Sequence, residues 1–342
     1  MPASGSLPWF VVDIREVDPH DEVLLRRHWE VGKAAEDEVR PYDFHPTWEA
    51  TRVLLGQPRD DFATVLLGAF EGQVLWGAAQ VELPLHDNLH TAQAAYFVHP
   101  DRQRRGLGRA LAEASYDVAR ERGRRTLVTS AFAPTDSTSP GLLFAGALGF
   151  RTALVDGMKV VDLPGTADLW DELEAAAARR HAGYRIVTWR ERVPEEYLDG
   201  YCRLMEMFLE EAPMGGLELE RERWDAERVR SRERRNARAG RQDSSAGAVA
   251  PDGTLVGITE VGVSEHAPWR GFQSGTIVAR EHRGHSLGMA VKIANHRQLR
   301  EHFPKCQVLM TGNADVNGPM NAVNEALGYR EVERCVELQR AL

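Results

Sequence analysis

The chain has 342 residues, with 42 Lys and Arg against 51 Asp and Glu, a net charge of −9, and 43% apolar and 8% aromatic residues. That length suits about two domains, each with enough apolar content for a core, and the acidic balance gives no support to a nucleic-acid partner. Cys202, Cys306 and Cys335 are odd in number and lack CxxC spacing, which argues against a disulfide framework or a zinc site and fits a reducing compartment. The opening MPASGSLPWF has no charged n-region and no long apolar core, and no run of about 18 apolar residues follows, so a cytoplasmic protein is expected.

A strand is expected at WFVVDIREV from Trp9, then charge-rich helical sequence from His20 to about Ala50. Two apolar runs, Ala63 to Phe70 and Gln73 to Glu82, flank the turn signal Glu71-Gly72 and predict a hairpin. A strand from Ala92 to Val98 leads to QRRGLG. Leu107, Leu111, Ala114 and Val118 recur at helical spacing until Gly123. A strand (Thr126 to Phe132), a short helix (about Ser139 to Leu148) and a strand (Arg151 to Asp162) follow.

Pro164-Gly165 breaks the pattern, and DLWDELEAAAARR predicts a connecting helix from Ala167 to Arg180. The same order then repeats: a strand at Tyr184 to Ile186, helical sequence over 195–211 and 220–238, strands at Ser244 to Ala250, Thr254 to Val263 and Gly271 to Ala279, a helix from His285 to about His302, a strand from Gln307 to Thr311, a helix from about Gly318 to Ala326 and a strand from Tyr329. The repetition is visible in residues as well. VHPDRQRRGLG (Val98 to Gly108) answers VAREHRGHSLG (Val278 to Gly288), LWGAAQVE answers LVGITEVG, and ALGFR answers ALGYR, all about 180 positions apart. The expected units are 1–163 and 184–342, joined by 164–183. The run AERVRSRERRNARAGR (Ala226 to Arg241) holds seven Arg against two Glu without interleaved aromatics, and reads as a solvated helix face rather than a nucleic-acid patch.

In QRRGLG the glycines sit where a strand hands over to a helix, so that several backbone N–H groups converge on one anion, such as a diphosphate. It is no dinucleotide fingerprint: Leu111 occupies the third glycine position, no acidic ribose-binding residue ends a following strand, and three strands precede the loop. Three strands, a Q/R-x-x-G-x-G loop, a helix, a strand and a short helix ending in LGF or LGY resemble the GNAT superfamily of N-acetyltransferases. The doubling resembles its tandem actinobacterial-type members such as mycothiol synthase. The resemblance implies an α/β (α+β mixed) fold of two tandem domains, each a central mixed, largely antiparallel sheet with splayed central strands flanked by helices.

It also implies a cofactor, acetyl-CoA. Its pyrophosphate would be held by Gln103, Arg104, Arg105, Gly106, Leu107 and Gly108 in the first unit, and by Arg283, Gly284, His285, Ser286, Leu287 and Gly288 in the second, where Ser286 replaces the first glycine. The main chain of Phe97, Val98 and His99, and of Ile277, Val278 and Ala279, would hold pantetheine like an added strand. With both glycines present, the first unit is expected to bind coenzyme A at least as well as the second. Where the family often has a tyrosine acid, this chain has Ala145 and Asn324.

Asn317, Asn321 and Asn324 fall on one helical face, and Asn317 is also a good N-cap. A ligand-facing role is expected for that face, Asn317 toward the cofactor, Asn321 toward the substrate and Asn324 at the catalytic centre. The nearest general base is Glu260, with Glu82 its weaker counterpart in the first unit. Glu210 and Glu211, before a Pro- and Gly-containing turn, would hold the substrate's ammonium group. The expectation is direct, metal-free transfer of acetyl to a primary amine of a small molecule, with chemistry in the second unit, in a monomer or homodimer without membrane partners. The alternatives are a non-catalytic coenzyme A-binding or sensing protein and a peptide or protein N-terminal acetyltransferase.

Overall fold

The computed structural model describes residues 12–42, 44–211 and 214–342, without the side chains of 209–211. Its first repeat contains β1 (Asp13–Glu16), α1 (Glu22–Asp37), α2 (Trp48–Leu55), β2 (Phe62–Glu71), β3 (Val74–Pro84), β4 (Thr91–Val98), α3 (Leu107–Glu121), β5 (Thr126–Ala133), α4 (Pro140–Ala147) and β6 (Arg151–Asp162). The start of the expected first strand, Trp9 to Val11, lies outside the described residues. The connecting helix is α5 (Asp168–Ala178). The second repeat contains β7 (Arg185–Arg190), α6 (Leu198–Glu211), α7 (Ala226–Arg238), β8 (Arg241–Val249), β9 (Leu255–Ser264), β10 (Ala267–Val278), α8 (Leu287–His302), β11 (Val308–Ala314), α9 (Gly318–Ala326) and β12 (Arg330–Ala341).

Caps fix several helix starts. The Asp21 carboxylate accepts from the Val23 and Leu24 amides before α1, Thr47 caps α2, Ser139 caps α4 and Asp225 caps α7. The single helical stretch expected over 20–50 is two helices, separated by the Pro46-Thr47 start of α2.

All twelve strands described form one sheet, in the order β1-β2-β3-β4-β5-β12-β6-β11-β10-β9-β8-β7. The last strands of the two repeats are exchanged. β12 pairs antiparallel with β5 of the first repeat, from Arg334–Ala133 to Ala341–Thr126, and β6 pairs antiparallel with β11 of the second, from Val308–Asp162 to Ala314–Asp156. The two exchanged strands pair with each other at the centre. Strand β6 was expected to complete its own unit; instead it completes the sheet of the other.

Each repeat also reaches over its neighbour. After α1, Arg40 forms a buried ion pair with Glu333 at 2.6 Å, and the His45 carbonyl accepts from Arg270 at 2.7 Å. After α6, the Gly216 amide donates to the Ala153 carbonyl (2.8 Å), and Asn88 Oδ1 accepts from the Glu220 amide (2.6 Å).

The arginine run does not form a solvated face. Arg228 pairs with Asp87 at 2.6 Å, Arg235 pairs with Asp61 at 2.7 Å, and Ser231 donates to Asp60, so α7 is fastened to the first repeat. Burial alone would raise the Asp61 carboxyl, but Arg59 and Arg235 hold it down at about 2. Among the described residues no helix is long and apolar enough to cross a membrane.

Candidate functional site

Both repeats splay their central strands. The parallel pair β4–β5 is joined only at Thr91–Gln93 with Thr126–Val128, and β10–β11 only at Arg270–Phe272 with Val308–Met310. Beyond those residues β4 and β10 each leave one backbone edge without a strand partner, next to the loop that opens the following helix. β10 has an added irregularity: its register against β9 shifts between Gln273 and Thr276, a bulge at Ser274-Gly275, whereas β4 pairs with β3 without interruption. Bulges re-aim backbone groups and are common beside active sites.

The two loops share one backbone shape. Positive φ occurs at Arg104 (62°) and Gly106 (89°) in the first, and at the equivalent Gly284 (85°) and Ser286 (56°) in the second. Each loop thus places one glycine and one ordinary residue in the left-handed region, and Ser286 accepts that conformation rather than altering the turn.

The surroundings differ. In the first repeat Phe144 lies against Gly108 and meets the Tyr96 ring edge to face, with centroids 6.1 Å apart. The equivalent residues of the second repeat are Val323 and Thr276, and a Cβ built on Gly288 meets nothing within 4 Å. A cavity of about 1430 Å³ opens there, bounded by Ile277, Val278, Arg283, Gly284, Ser286, Leu287 and Gly288. None of Phe97, Val98, His99 or Gln103, Arg104, Arg105, Gly106, Leu107 and Gly108 lines it. His99 caps the turn before the first loop and packs its ring on Trp76, while Leu107 is core. In the second loop His285 packs on Tyr184, and Ala279 is buried in the core; neither lines the cavity.

The cavity extends along the unpaired edge of β10 to the centre of the sheet. Linker helix α5 supplies Leu173 and Ala177, the turn after it supplies Arg180, and the segment after α6 supplies Met214, Leu217 and Leu219. At the far end stand Glu82, Asp156 and Glu337, from β3 and the two exchanged strands. Glu82 is paired with Arg59 at 2.8 Å. Burial pushes up the carboxyls of Asp156 and Glu337, and each is raised further by a neighbouring acid, Asp315 for Asp156 and Asp156 for Glu337. Because these two come from exchanged strands, chain order could not place them here.

The expected base does not face the cavity. Glu260 accepts from the Tyr201 hydroxyl at 2.9 Å and pairs with Arg232 at 3.1 Å, and Arg232 also bonds Tyr201. Burial would lower the Arg232 guanidinium, but Glu260 and Tyr201 raise it, so the ion pair is locked. The asparagine face is likewise divided. Asn317 caps α9, accepting from the Met320 amide, and lines the cavity. Asn321 accepts from Lys159 at 3.1 Å and donates to the Ala314 and Asp315 carbonyls, which ties α9 to the sheet rather than to a ligand. Asn324 is buried, donating to Asn313 Oδ1 and accepting from Lys292 Nζ at 2.8 Å. Glu210 and Glu211 close α6, and their side chains lie outside the described residues.

Lys292 was not singled out by sequence, although a lone lysine among Ala290, Val291 and Ile293 was its signal. It is 1% exposed, reaches the cavity wall, and is pushed down to about 7 by burial. No group of three or more His, Cys, Asp or Glu able to hold a metal occurs among the described residues.

Residues 27–140 match the sequence profile of the acetyltransferase (GNAT) family. The protein therefore carries a GNAT acetyltransferase domain, and its fold is that of a tandem GNAT protein. A tandem GNAT protein from the clavulanic acid biosynthesis pathway, solved without AcCoA, superposes with a TM-score of 0.78 at 28% identity, covering 96% of this chain and 98% of that one. A GCN5-related N-acetyltransferase from Sphaerobacter thermophilus gives 0.60 at 17% identity, with 96% and 95% covered. The glucosamine N-acetyltransferase region of a fungal multi-domain GH3 β-N-acetylglucosaminidase gives 0.67 at 12% identity, covering 96% of this chain and 38% of that one. The last two likenesses concern fold alone. No curated protein matches the chain.

Proposed function

We propose that this protein transfers an acetyl group from acetyl-CoA, held by the second repeat, directly to a primary amine of a small molecule. The observation that carries this reading is the asymmetry of the two clefts. The second has its loop exposed on a cavity that a Cβ at Gly288 or Gly284 would begin to fill, whereas in the first Phe144 lies against Gly108 and Tyr96, and the cavity touches that repeat at Gln93 to Ala95 and Val128 to Ser130 but not at its loop. This reverses the expectation that the first loop binds coenzyme A at least as well. The volume exceeds the roughly 300–1,000 Å³ typical of a small-ligand pocket, which suits a long nucleotide thioester together with an acceptor.

In this reading the amides at the start of α8, with Arg283, meet the pyrophosphate. The unpaired edge of β10 holds the pantetheine amides in the manner of an added strand, and the bulge at Ser274-Gly275 directs backbone N–H toward the carbonyl that gains charge. Acetyl-CoA supplies an activated acyl group. Glu82, Asp156 and Glu337 make the far end favourable to an ammonium-bearing acceptor, and the raised carboxyls of Asp156 and Glu337 make them better proton acceptors than ordinary carboxylates. The sequence ranges 1–163 and 184–342 are proposed as the repeats, with 164–183 contributing α5 to the cofactor wall.

The test is release of free thiol from acetyl-CoA across a panel of amino acids, polyamines, aminoglycosides and small peptides. Release with at least one small amine supports transfer. Coenzyme A binding without release for any amine would favour the sensing protein, and release confined to peptides would favour the N-terminal acetyltransferase.

A further inference from the structure

The mechanism above leaves one buried ionisable group at the cavity wall unused. Lys292 lies in the second turn of α8, directly behind the loop, and its ammonium meets Asn324 Oδ1 at 2.8 Å and the Tyr329 ring at 5.0 Å from the centroid. Among the described residues no carboxylate pairs with it. A lysine carried into such a site costs several kcal/mol unless it is paired, so a purely structural role is poorly served by it. The equivalent residue of the first repeat is Ala112, which packs in an apolar core. At this helical position the lysine therefore occurs only in the repeat whose loop lines the cavity. Asn324 holds it in place: its amide donates to Asn313 Oδ1, which leaves the carbonyl oxygen turned to Nζ.

We propose that Lys292 is the acid that protonates the departing sulfur of coenzyme A. This rests on the function proposed above. The acceptor nitrogen forms its bond to the acetyl carbon, the C–S bond breaks with its electron pair going to sulfur, and Lys292 Nζ gives that sulfur a proton and becomes a neutral amine. An acceptor bound as an ammonium first gives one proton to Asp156 or Glu337, from which it passes to solvent; the second proton, lost from nitrogen after attack, returns to Nζ through solvent, so the site is restored. Asn324 acts as a positioning residue.

The groups that face Lys292 are few. His296 lies one turn further along α8 and Tyr329 on the turn after α9, and burial keeps both uncharged. From α5, Asp171 and Glu174 are taken up by Arg297. Under the helix, Ser244 of β8 bonds Asn295, and Glu260 of β9 is turned to Arg232. His282 and Arg283 lie at the cavity mouth.

The experiment titrates the thiol of bound coenzyme A through its ultraviolet thiolate absorbance in wild type and Lys292→Met, alongside affinity for coenzyme A and desulfo-coenzyme A. A thiolate formed beside Nζ raises the lysine again, so thiol and lysine titrate as a coupled pair in wild type: the first proton leaves to give a thiolate–ammonium pair, the bound thiol's midpoint lies below that of free coenzyme A, and it rises in Lys292→Met. Desulfo-coenzyme A affinity is the same in both, and turnover falls about 10²- to 10⁴-fold with the alkaline limb of its pH profile displaced. An unshifted thiol in wild type overturns the proposal without any variant. So does a variant that loses desulfo-coenzyme A affinity equally, which marks a structural residue. If the thiol shifts but no amine is acetylated, the placement of Lys292 stands and the acyl-transfer reading fails.

Discussion

Phe144 presses against Gly108: a Cβ built on that glycine would stand 3.1 Å from two of its ring carbons, while one built on Gly288 meets nothing. Gly108→Ala should therefore force the ring to move and lower stability by about 1–3 kcal/mol. Gly288→Ala, at a helical position in open space, should leave stability within about 0.5 kcal/mol of wild type or improve it, while lowering coenzyme A affinity. Denaturant unfolding of both variants, with calorimetric binding, checks the pair; equal stability costs would show that the two clefts are alike.

Glu260→Gln should act on stability rather than on chemistry. Removing the carboxylate leaves the largely buried Arg232 without its counter-ion, and breaking one side of such a pair typically costs about 3–5 kcal/mol. The melting temperature should fall while the turnover of the remaining folded enzyme stays within a few-fold. A loss of about 10²-fold in turnover without a change in melting would restore Glu260 as the base.

Acid should weaken the fold through His296. Burial lowers its pKa from 6.5 to about 3, so between those values the unfolded chain takes up a proton that the folded chain refuses. This stability is fully present above pH 6.5 and is lost as pH falls toward 3, on the order of a few kcal/mol. His296→Gln should flatten melting temperature against pH in that window. An unchanged slope would assign acid sensitivity elsewhere.

Asp61 and Arg235 join the first repeat to α7 of the second at 2.7 Å. A double-mutant cycle with Asp61→Asn and Arg235→Gln should give a coupling of about 0.5–1.5 kcal/mol at pH 7. It should disappear as pH falls from about 4 toward 2, because the folded carboxyl titrates at about 2. Additive effects would show that the ion pair contributes nothing to holding the repeats together.

The repeat, the loops and most strands were legible because periodicity and glycine placement are local. The exchange of β6 and β12 was not. Both are twelve-residue strands at equivalent places, and β5 and β11 each offer an edge that either could fill. The choice rests on long-range geometry, and it moves Asp156 and Glu337 into a shared cavity. Glu260 misled because a carboxylate on a central strand reads alike whether it faces a substrate or Arg232, 28 positions upstream on helix α7. The contrast between the clefts was legible in principle: aromatic Tyr96 and Phe144 stand where the second repeat has Thr276 and Val323.

The central claim is that the second cleft alone holds coenzyme A. Calorimetric titration of coenzyme A into wild type, Gly288→Phe and the double variant Arg104→Ala/Arg105→Ala tests it most directly. The account predicts one site per chain in wild type, no binding in Gly288→Phe, and an unchanged site in the double variant. Binding that survives in Gly288→Phe and vanishes in the double variant would contradict it.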